Sequence, residues 1–375
     1  MMRALFSLSL LLGAAFSFAA PFTYAQELHN EDRGTYRAVV HEIIAQEMRE
    51  IPGTEATHLY QTIRVEILEG PMEGKEVIIE NDYLELSEGD RFYLSHTVLI
   101  DGSELYGVIG IDRTVALYWL VGLFVVVVIM FGGWQGVRSL LALAGSFAAI
   151  IYILMPGLLG GWPPLAVSFL VAAAVLSVAI FFTHGFNRES VVAFSGTMFA
   201  VLATGLFAVF AVSLTSLSGF AAEESVYLNF NTKGTLDFQG LLLGAIIIGV
   251  LGILDDIAVT QAAVVGELYA AKPTMSRFEA YKRAIRVGRE HVSALVNTLV
   301  LAYTGASLPL LLLFYLSPAD PSSTINMEIF ATEIVRTIIG SIGLILTVPV
   351  VTGLAAYFLH GHVRKEGKHL HTHAH

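Results

Sequence analysis

Two adjacent carboxyl groups interrupt a long apolar segment of the sequence. Asp255 and Asp256 lie inside the run from Gly249 to Gln261, whose other residues are mostly aliphatic or small. A charged side chain at the centre of a lipid bilayer costs at least about 2.5 to 3.5 kcal/mol, so such acids generally face a helix bundle or a wet cavity. The pattern indicates either a transport or proton-coupling role, or a neutral or paired carboxyl that only locks helices together.

The two acids point in different directions, because neighbouring residues on a helix are about 100° apart. Asp256 shares one helix face with Gly249, Gly252 and Thr260. Small residues beside an acid let another helix approach closely and leave room for a ligand or water. The candidates in this segment for lining a substrate or ion path are Asp255, Asp256, Thr260 and Gln261.

A second set of polar residues lies in the next apolar segment, which contains Asn297, Thr298 and Tyr303. If the two segments are antiparallel helices, Asn297 and Asp256 each lie roughly 9 Å from a helix end on the same side and could meet. Asn297 either lines a path or holds the bundle through an interhelical hydrogen bond, and the sequence favours neither.

Glu333 and Arg336 are three residues apart at the start of the last apolar segment. At this spacing the two side chains share a helix face and can form a local ion pair, which would stabilise the fold little. The alternative is that they form one end of a polar path through the bundle. The sequence favours the ion pair.

The C-terminal tail contains half of the 12 histidines and is a candidate for binding a divalent metal such as zinc or nickel. These residues are His360, His362, His369, His371, His373 and His375. Their spacing is irregular and no cysteine lies among them, which favours a solvated tail.

Enzyme motifs are incomplete in this chain. His41 and Glu42 lack the second histidine of a zinc protease helix, and Gly70 to Lys75 is one residue short of a Walker loop. The chain has no cysteine, which excludes thiol catalysis and disulfides, and no nucleophile-elbow serine. We therefore predict that the protein is not an enzyme, needs no cofactor and has no nucleic acid partner.

The composition predicts a membrane protein. Of the 375 residues, 55% are hydrophobic and only 14% are charged, and the mean hydropathy is +0.68. A soluble domain of this size does not need so large an apolar excess. Most of the chain is therefore expected to face lipid or a lipid-embedded core, with the lipid bilayer as its partner.

The first 112 residues are predicted to contain an export signal and a small β domain. Arg3, an apolar run and small residues as far as Ala25 indicate a signal peptide over residues 1–25, either cleaved after Ala25 or kept as an anchor. Residues 26–112 contain five β-branched and aromatic runs separated by turns. These predicted strands are Tyr36 to Ile44, Gln61 to Leu68, Glu76 to Glu80, Arg91 to Ile100 and Tyr106 to Ile111. We favour a small barrel over a sandwich.

Residues 113–359 contain seven apolar stretches, each near the roughly 20 residues that a helix needs to cross a bilayer. They lack the alternation of barrel strands, so helices are expected. The predicted spans are Thr114 to Phe131, Ser139 to Met155, Pro164 to Phe182, Val191 to Leu217, Gly240 to Val264, Val292 to Leu316 and Ile334 to Leu359. The predicted fold class is a polytopic α-helical membrane protein with an N-terminal extracytoplasmic, barrel-like all-β domain.

The distribution of lysine and arginine predicts the orientation, because short cytoplasmic loops retain positive charge. Alternate loops carry Arg138, Arg188, a basic cluster around residues 272–289 and the tail. The cluster includes a basic amphipathic helix at about residues 275–290, which is expected to lie on the anionic inner leaflet. We predict a bacterial inner-membrane protein with its mature N-terminus outside and with residues 360–375 as a cytoplasmic tail.

The same motifs resemble the YibE/F-like family of bacterial multi-pass membrane proteins, whose members are described as permeases from their topology. The matching segments are Gly249 to Gln261, Gly288 to Pro309 and Glu333 to Leu344, with a weaker likeness from Leu68 to Lys75. In the commoner family pattern the position of Asp255 is often apolar while the acid at Asp256 remains. The resemblance therefore points to Asp256 as the more important acid and implies a permease of unknown substrate.

Two functions of different classes follow as hypotheses. In the first, a secondary transporter moves a small solute or ion between spans five, six and seven, with Asp256 as the titrating or cation-coordinating group. In the second, the chain is a membrane scaffold or accessory subunit whose exported β domain binds a protein partner, and the polar residues in the spans only fasten helices.

Overall fold

The computed structural model describes residues 33–50, 57–99 and 101–361. The chain divides into two compact units, Met1–Val127 and Val128–His375. The predicted signal peptide lies outside the described residues, as do five of the six tail histidines. These five are His362, His369, His371, His373 and His375.

The first unit contains a five-stranded antiparallel sheet with the strand order β3-β2-β1-β4-β5. The strands are β1 Arg33–Glu50, β2 Thr57–Ile67, β3 Glu76–Asn81, β4 Arg91–Val98 and β5 Glu104–Ile111. Alternate residues of β2 and β4 point into an apolar core, as the period of two requires. The five predicted strands are thus present, although β1 continues six residues beyond the predicted end at Ile44.

The sheet is a half-barrel and not the closed barrel that we predicted. Among the described strands, the two edge strands β3 and β5 are not paired by backbone hydrogen bonds, and side chains connect them instead. Lys75, just before β3, lies 2.9 Å from Glu104 at the start of β5. The Tyr106 hydroxyl and the Lys75 ammonium both donate to Glu104 and lower the pKa of that carboxyl.

A buried amide fixes the loop between β3 and β4. The Gln61 side chain donates to the backbone carbonyl of Leu86 at 2.8 Å and accepts from the backbone N–H of Leu86 at 2.9 Å. Asn81 donates to the same Gln61 oxygen at 3.1 Å. All three residues are buried, so these hydrogen bonds satisfy polar groups that water cannot reach.

Replacing Gln61 by leucine should speed hydrogen exchange in the loop around Leu86 by roughly 5- to 150-fold. The Leu86 backbone would lose both partners, and each unsatisfied buried group costs about 1 to 3 kcal/mol. Exchange measured by mass spectrometry on the full-length protein tests this. The control is Thr62→Val, because Thr62 lies on the opposite face of β2. Equal exchange in both variants would show that this network does not hold the loop.

The rest of the described chain is helical. One helical segment, interrupted by a kink at Gly133, runs from α1, Thr114–Ala149, through a π-helical turn, Ile150–Leu154, into α2, Met155–Leu159. Helix α3, Pro164–Ser177, also continues into a π-helical turn, Val178–Phe182. The remaining helices are α4 Arg188–Leu214, α5 Glu223–Asn231, α6 Phe238–Ala271, α7 Arg277–Ala306, α8 Leu308–Leu316, α9 Pro321–Ile325 and α10 Glu328–Phe358.

Five helical segments of the described chain are long and apolar enough to cross a membrane, or six if α7 and α8 together form one span. Seven were predicted, and the segment Thr114–Leu159, with 46 residues, takes up two of them. Straight, it would measure about 69 Å against a hydrocarbon thickness of about 30 Å. It breaks at Gly133, with φ 54° and ψ −137°, between the two predicted spans. A Cβ atom on Gly136 would lie 2.4 Å from the Val128 carbonyl oxygen, so the backbone turns sharply there.

The predicted sixth span, Val292 to Leu316, is wrong as a single straight helix. Helices α7 and α8 meet at Ser307 with a bend of 68°. Pro309 explains the break, because proline has no backbone N–H to continue the helix and its ring disfavours a helical residue before it. None of the residues of α8 is buried against the described part of the chain.

The predicted basic helix at residues 275–290 is not a separate element. It forms the first half of α7, which continues without a break to Ala306. Its small residues Ala280, Ala284 and Gly288 are buried and pack against α6 and α10. Its cationic residues Lys282, Arg283, Arg286 and Arg289 are exposed. The small-residue face of this half thus contacts protein, because small side chains allow close helix packing.

Candidate functional site

Helix α6 lies in the middle of the helical unit, where it packs against α3, α4, α7 and α10. Between Gly240 and Gly266 every residue of α6 is fully or partly covered except for one narrow stripe. The exposed residues of this stripe are Ala245, Gly249, Gly252, Asp256 and Thr260. They recur at helical spacing, so they form one continuous face, which we call the acidic stripe.

The acidic stripe differs from the exposed faces of the neighbouring apolar helices. Helix α4 exposes large apolar side chains such as Phe199, Leu206 and Phe210, and α10 exposes Ile334 and Ile338. Such residues are suited to contact lipid. The acidic stripe contains only small residues, a hydroxyl and a carboxyl, which suits close contact with another helix or a hydrated path.

Asp255 and Asp256 lie on different faces of α6, as the helical geometry predicts. Asp256 is exposed on the acidic stripe, whereas Asp255 is partly buried beside it. The Asp255 carboxylate accepts a hydrogen bond from the backbone N–H of Asp256 at 2.9 Å. No side chain of the described residues donates to the Asp256 carboxylate. Asp256 is therefore the acid that is available to a ligand or to another chain.

Tyr303 connects the acidic stripe to a cavity at the break between α7 and α8. Its hydroxyl oxygen lies 3.3 Å from the position that a Cβ atom on Gly249 would take. Tyr303 also lines the cavity, which has a volume of roughly 370 Å³ and also contains Glu333. Its other polar lining residues are Thr304, Ser307 and Thr337. One tyrosine thus lies between the stripe on α6 and an ionisable residue of α10.

Glu333 and Arg336 form the ion pair that their spacing predicts. The Arg336 Nη1 atom lies 2.6 Å from Glu333 Oε1, and the two side chains are 27% and 26% exposed. The Arg336 Nε atom is buried without a hydrogen-bond partner among the described residues. The pair is therefore shielded more than a surface pair, and one donor stays free.

The structure does not bring all of the predicted residues together. Asn297 and Thr298 are exposed on α7, and no hydrogen bond joins Asn297 to Asp256 within the described chain. Thr298 donates to the carbonyl of Ala294 in its own helix at 3.0 Å. Along their helices, Asn297 and Asp256 both lie between two contacts of α6 with α7, those of Gly249 with Tyr303 and of Gln261 with Ala284.

Gln261 is a helix contact and does not belong to the acidic stripe. It is fully buried, and its side-chain N–H donates to the Ala284 carbonyl of α7 at 2.8 Å. A Cβ atom on Gly288 would lie 3.0 Å from the same Gln261 nitrogen. The sequence placed Gln261 among the path candidates only because it follows Thr260, and one residue along a helix turns the side chain by about 100°.

Sequence reasoning missed Thr304, Ser307 and Thr337 as lining residues. Pro309 in the sequence indicates a helix break near Ser307. Thr337 lies four residues after Glu333, which places both side chains on the same face of the helix. For the metal candidates, no group of three histidines or carboxylates within the described residues could hold an ion. His360, the only tail histidine in that part of the chain, stacks edge-on against Tyr269.

No curated protein and no solved structure matches the chain. The profile of the family described as YibE/F-like protein matches residues 120–361, which include the acidic stripe, the helix break and the ion pair. This match covers more than half of the 375 residues. The chain therefore belongs to the YibE/F-like family.

Proposed function

We propose that the protein is a membrane permease of the secondary-transporter type, in which Asp256 exchanges a proton or coordinates a cation. The observation that carries this proposal is the uncovered Asp256 carboxyl on the acidic stripe, with Tyr303 placed between that stripe and the cavity that Glu333 lines. A structural role alone does not need a carboxyl on an uncovered face of an apolar helix, where exposure to lipid is costly.

The broken helix supports the same proposal. Transporters commonly bind solutes beside discontinuous helices, because the break leaves backbone groups free to contact a ligand. Here the bend of 68° at Ser307 opens the cavity that Tyr303 and Glu333 line. The substrate would be a small solute or ion, since the cavity measures roughly 370 Å³. An ion gradient would drive transport, because the sequence lacks an ATP-binding motif.

The membrane context of the proposal comes from the apolar helices and from the positive residues. The charged residues Arg138 and Arg188 and the first half of α7 would lie on the cytoplasmic side of a bacterial inner membrane. The β domain would then lie outside, and the last helix would end in the cytoplasm. The path would run from the Glu333–Arg336 pair on the outer side to Asp256 nearer the cytoplasm.

Replacing Asp256 by asparagine should abolish ligand-specific thermal stabilisation of the purified protein. A ligand that binds only the native state raises its melting temperature by mass action, so a panel of inorganic cations, inorganic anions, amino acids and carboxylic acids is screened across pH. The matched control is Asp255→Asn, which removes the neighbouring acid that does not lie on the stripe. A compound that stabilises the wild type is then tested for uptake into proteoliposomes.

Loss of the shift and of uptake in Asp256→Asn, with both retained in Asp255→Asn, is the expected result. Uptake that is unchanged in Asp256→Asn would show that this carboxyl is not the coupling group. If both variants lose the shift in melting temperature equally, the location of Asp256 on the acidic stripe does not matter. The assignment of Asp256 as the coupling group is then wrong.

The second candidate function is a scaffold whose β domain binds a protein. The end of β1 supports it, because Glu47 to Glu50 pair only with β2 and form a ribbon that extends past the other strands. Met48 on this ribbon is 61% exposed. A scaffold role predicts that deleting residues 26–112 abolishes function, whereas Asp256→Asn lowers only the thermal stability.

A further inference from the structure

We propose that a second copy of the chain covers the acidic stripe, so that Asn297 and Thr298 of each copy face Asp256 of the other. The site is incomplete in one chain, because none of the described residues donates a hydrogen bond to the Asp256 side chain. This inference rests on the helix surfaces and not on the proposed transport activity.

The acidic stripe has the shape of a helix-packing surface. Gly252, in its centre, has no atom within 4 Å of the position that a Cβ would take. Small residues at this spacing let two backbones approach closely, which is how helices associate within a bilayer. Lipid chains would leave the Asp256 carboxyl without any polar partner, at a cost of at least about 2.5 kcal/mol if it is charged.

Helix α7, whose Tyr303 lies beside Gly249 of the acidic stripe, supplies a complementary surface. Its outer part, Ser293 to Ala306, exposes mainly small and polar residues, which include Asn297, Thr298 and Thr304. Gly305 also has open space around it. Asn297 can donate two hydrogen bonds, and a carboxylate can accept them. The acceptor on α6 and the donor on α7 thus lie on adjacent helices of one chain.

A two-fold axis between two copies of the chain would form the contact between α6 and α7 twice. In such an interface the same patch on both copies pairs with itself, so α6 of each copy would face α7 of the other. Packing the two α6 helices directly on each other would instead bring two Asp256 carboxyls together, and like charges at short distance repel strongly in a medium of low dielectric constant. The crossed arrangement is therefore the one that the polar groups favour.

The first part of α1, residues 114–127, is a less suitable cover. Residues 114–127 are mostly aliphatic, and their donors are confined to Thr114, Tyr118 and Trp119 near the start. Such a helix could shield apolar surface but would leave Asp256 with few donors. This alternative is distinguishable, because it produces a contact within one chain and the proposed one produces a contact between chains.

Site-directed cross-linking tests the proposal directly, because the chain has no native cysteine. Two differently tagged copies are expressed together, one with Gly252→Cys or Thr260→Cys on α6 and the other with Asn297→Cys on α7. Membranes are treated with a mild oxidant or a short bismaleimide. The control pair carries Phe210→Cys in both copies, on the lipid-like exposed face of α4.

The expected result is a covalent band that contains both tags for the α6 and α7 pairs, several-fold stronger than the Phe210→Cys band. Native mass spectrometry of the wild-type protein should independently give twice the mass of one chain. A monomeric mass, or cross-linking no stronger than in the control, would overturn the proposal. So would an efficient link within one chain between Gly252→Cys and Leu123→Cys. None of these outcomes depends on finding a transported substrate.

Discussion

Replacing Glu333 by glutamine should lower the unfolding free energy by about 1 to 3 kcal/mol and markedly lower the melting temperature. The variant leaves the Arg336 guanidinium without its carboxylate in a site that is about three-quarters covered. Breaking a fully buried pair costs about 3 to 5 kcal/mol, and the remaining exposure of this pair reduces the expected loss. Arg336 Nε already lacks a hydrogen-bond partner among the described residues, so the variant would leave a second donor of the same guanidinium unsatisfied.

Two further variants test whether the pair itself is responsible. Exchanging the charges, with Glu333→Arg and Arg336→Glu together, should restore most of the lost stability, because both partners stay on one helix face three residues apart. Glu279→Gln removes the surface pairs of Glu279 with Arg283 and Lys272 and should change stability by less than about 1 kcal/mol. A charge exchange that is as unstable as Glu333→Gln would show that packing around Glu333, and not the ion pair, sets the loss.

The pair also bears on the proposed path, because Glu333 lines the cavity that Tyr303 connects to the acidic stripe. If the pair is only structural, the charge exchange restores stability and any substrate uptake together. If Glu333 contacts the substrate, the exchange restores stability but not uptake. The same set of variants thus separates the two interpretations that the sequence left open.

The β domain could be predicted closely because its strands are half-buried. Alternation at Ile63, Val65 and Ile67 marks the inner face, and Gly70 and Gly89 mark turns with positive φ. The continuation of β1 to Glu50 was missed, because Ala45 to Glu50 has no apolar alternation. Cross-strand contacts such as Arg49 on the Tyr60 ring help to hold it, and these depend on the partner strand.

The helical unit was predicted well in composition and less well in geometry. Continuous apolar runs identify helices that can span a membrane, but they do not show where a helix bends. Gly133 and Pro309 can be read from the sequence as possible breaks. The direction that the chain takes after each break depends on how the helices pack. The cavity beside Ser307 exists because α10 approaches the bend, and no local pattern encodes that approach.

For the candidate site, too, the sequence predicted which residues share a helix face but not how the helices pack. Helical spacing placed Gly249, Gly252, Asp256 and Thr260 on one face, and the structure shows that this face is the uncovered one. The sequence could not tell which face the other helices cover, because that depends on contacts between residues far apart in the chain. It therefore placed Gln261 in the path, although α7 buries it.

Gly288→Ala is expected to destabilise the helical unit by about 1 to 3 kcal/mol, because three helices meet at this position. An added Cβ would lie 2.5 Å from the Val348 side chain on α10 and 3.0 Å from Gln261 on α6. Neither neighbour can withdraw easily, since Gln261 is fully buried and Val348 belongs to the largest apolar cluster of the helical unit. The first half of α7 would therefore move away from both partners.

Gly353→Ala is the matched control, because its Cβ would meet only the Tyr281 ring, at an ordinary contact distance of 3.9 Å. Alanine also favours helix over glycine by up to about 1 kcal/mol, so this variant should be neutral or slightly stabilising. Melting temperatures of both variants in the same detergent provide the measurement.

Because Gln261 and Gly288 fix α7 against α6, loss of stability in Gly288→Ala should be accompanied by weaker cross-linking through Asn297→Cys. A Gly288→Ala protein as stable as Gly353→Ala would mean that α7 is held elsewhere, and that the contact at Gln261 does not position Asn297.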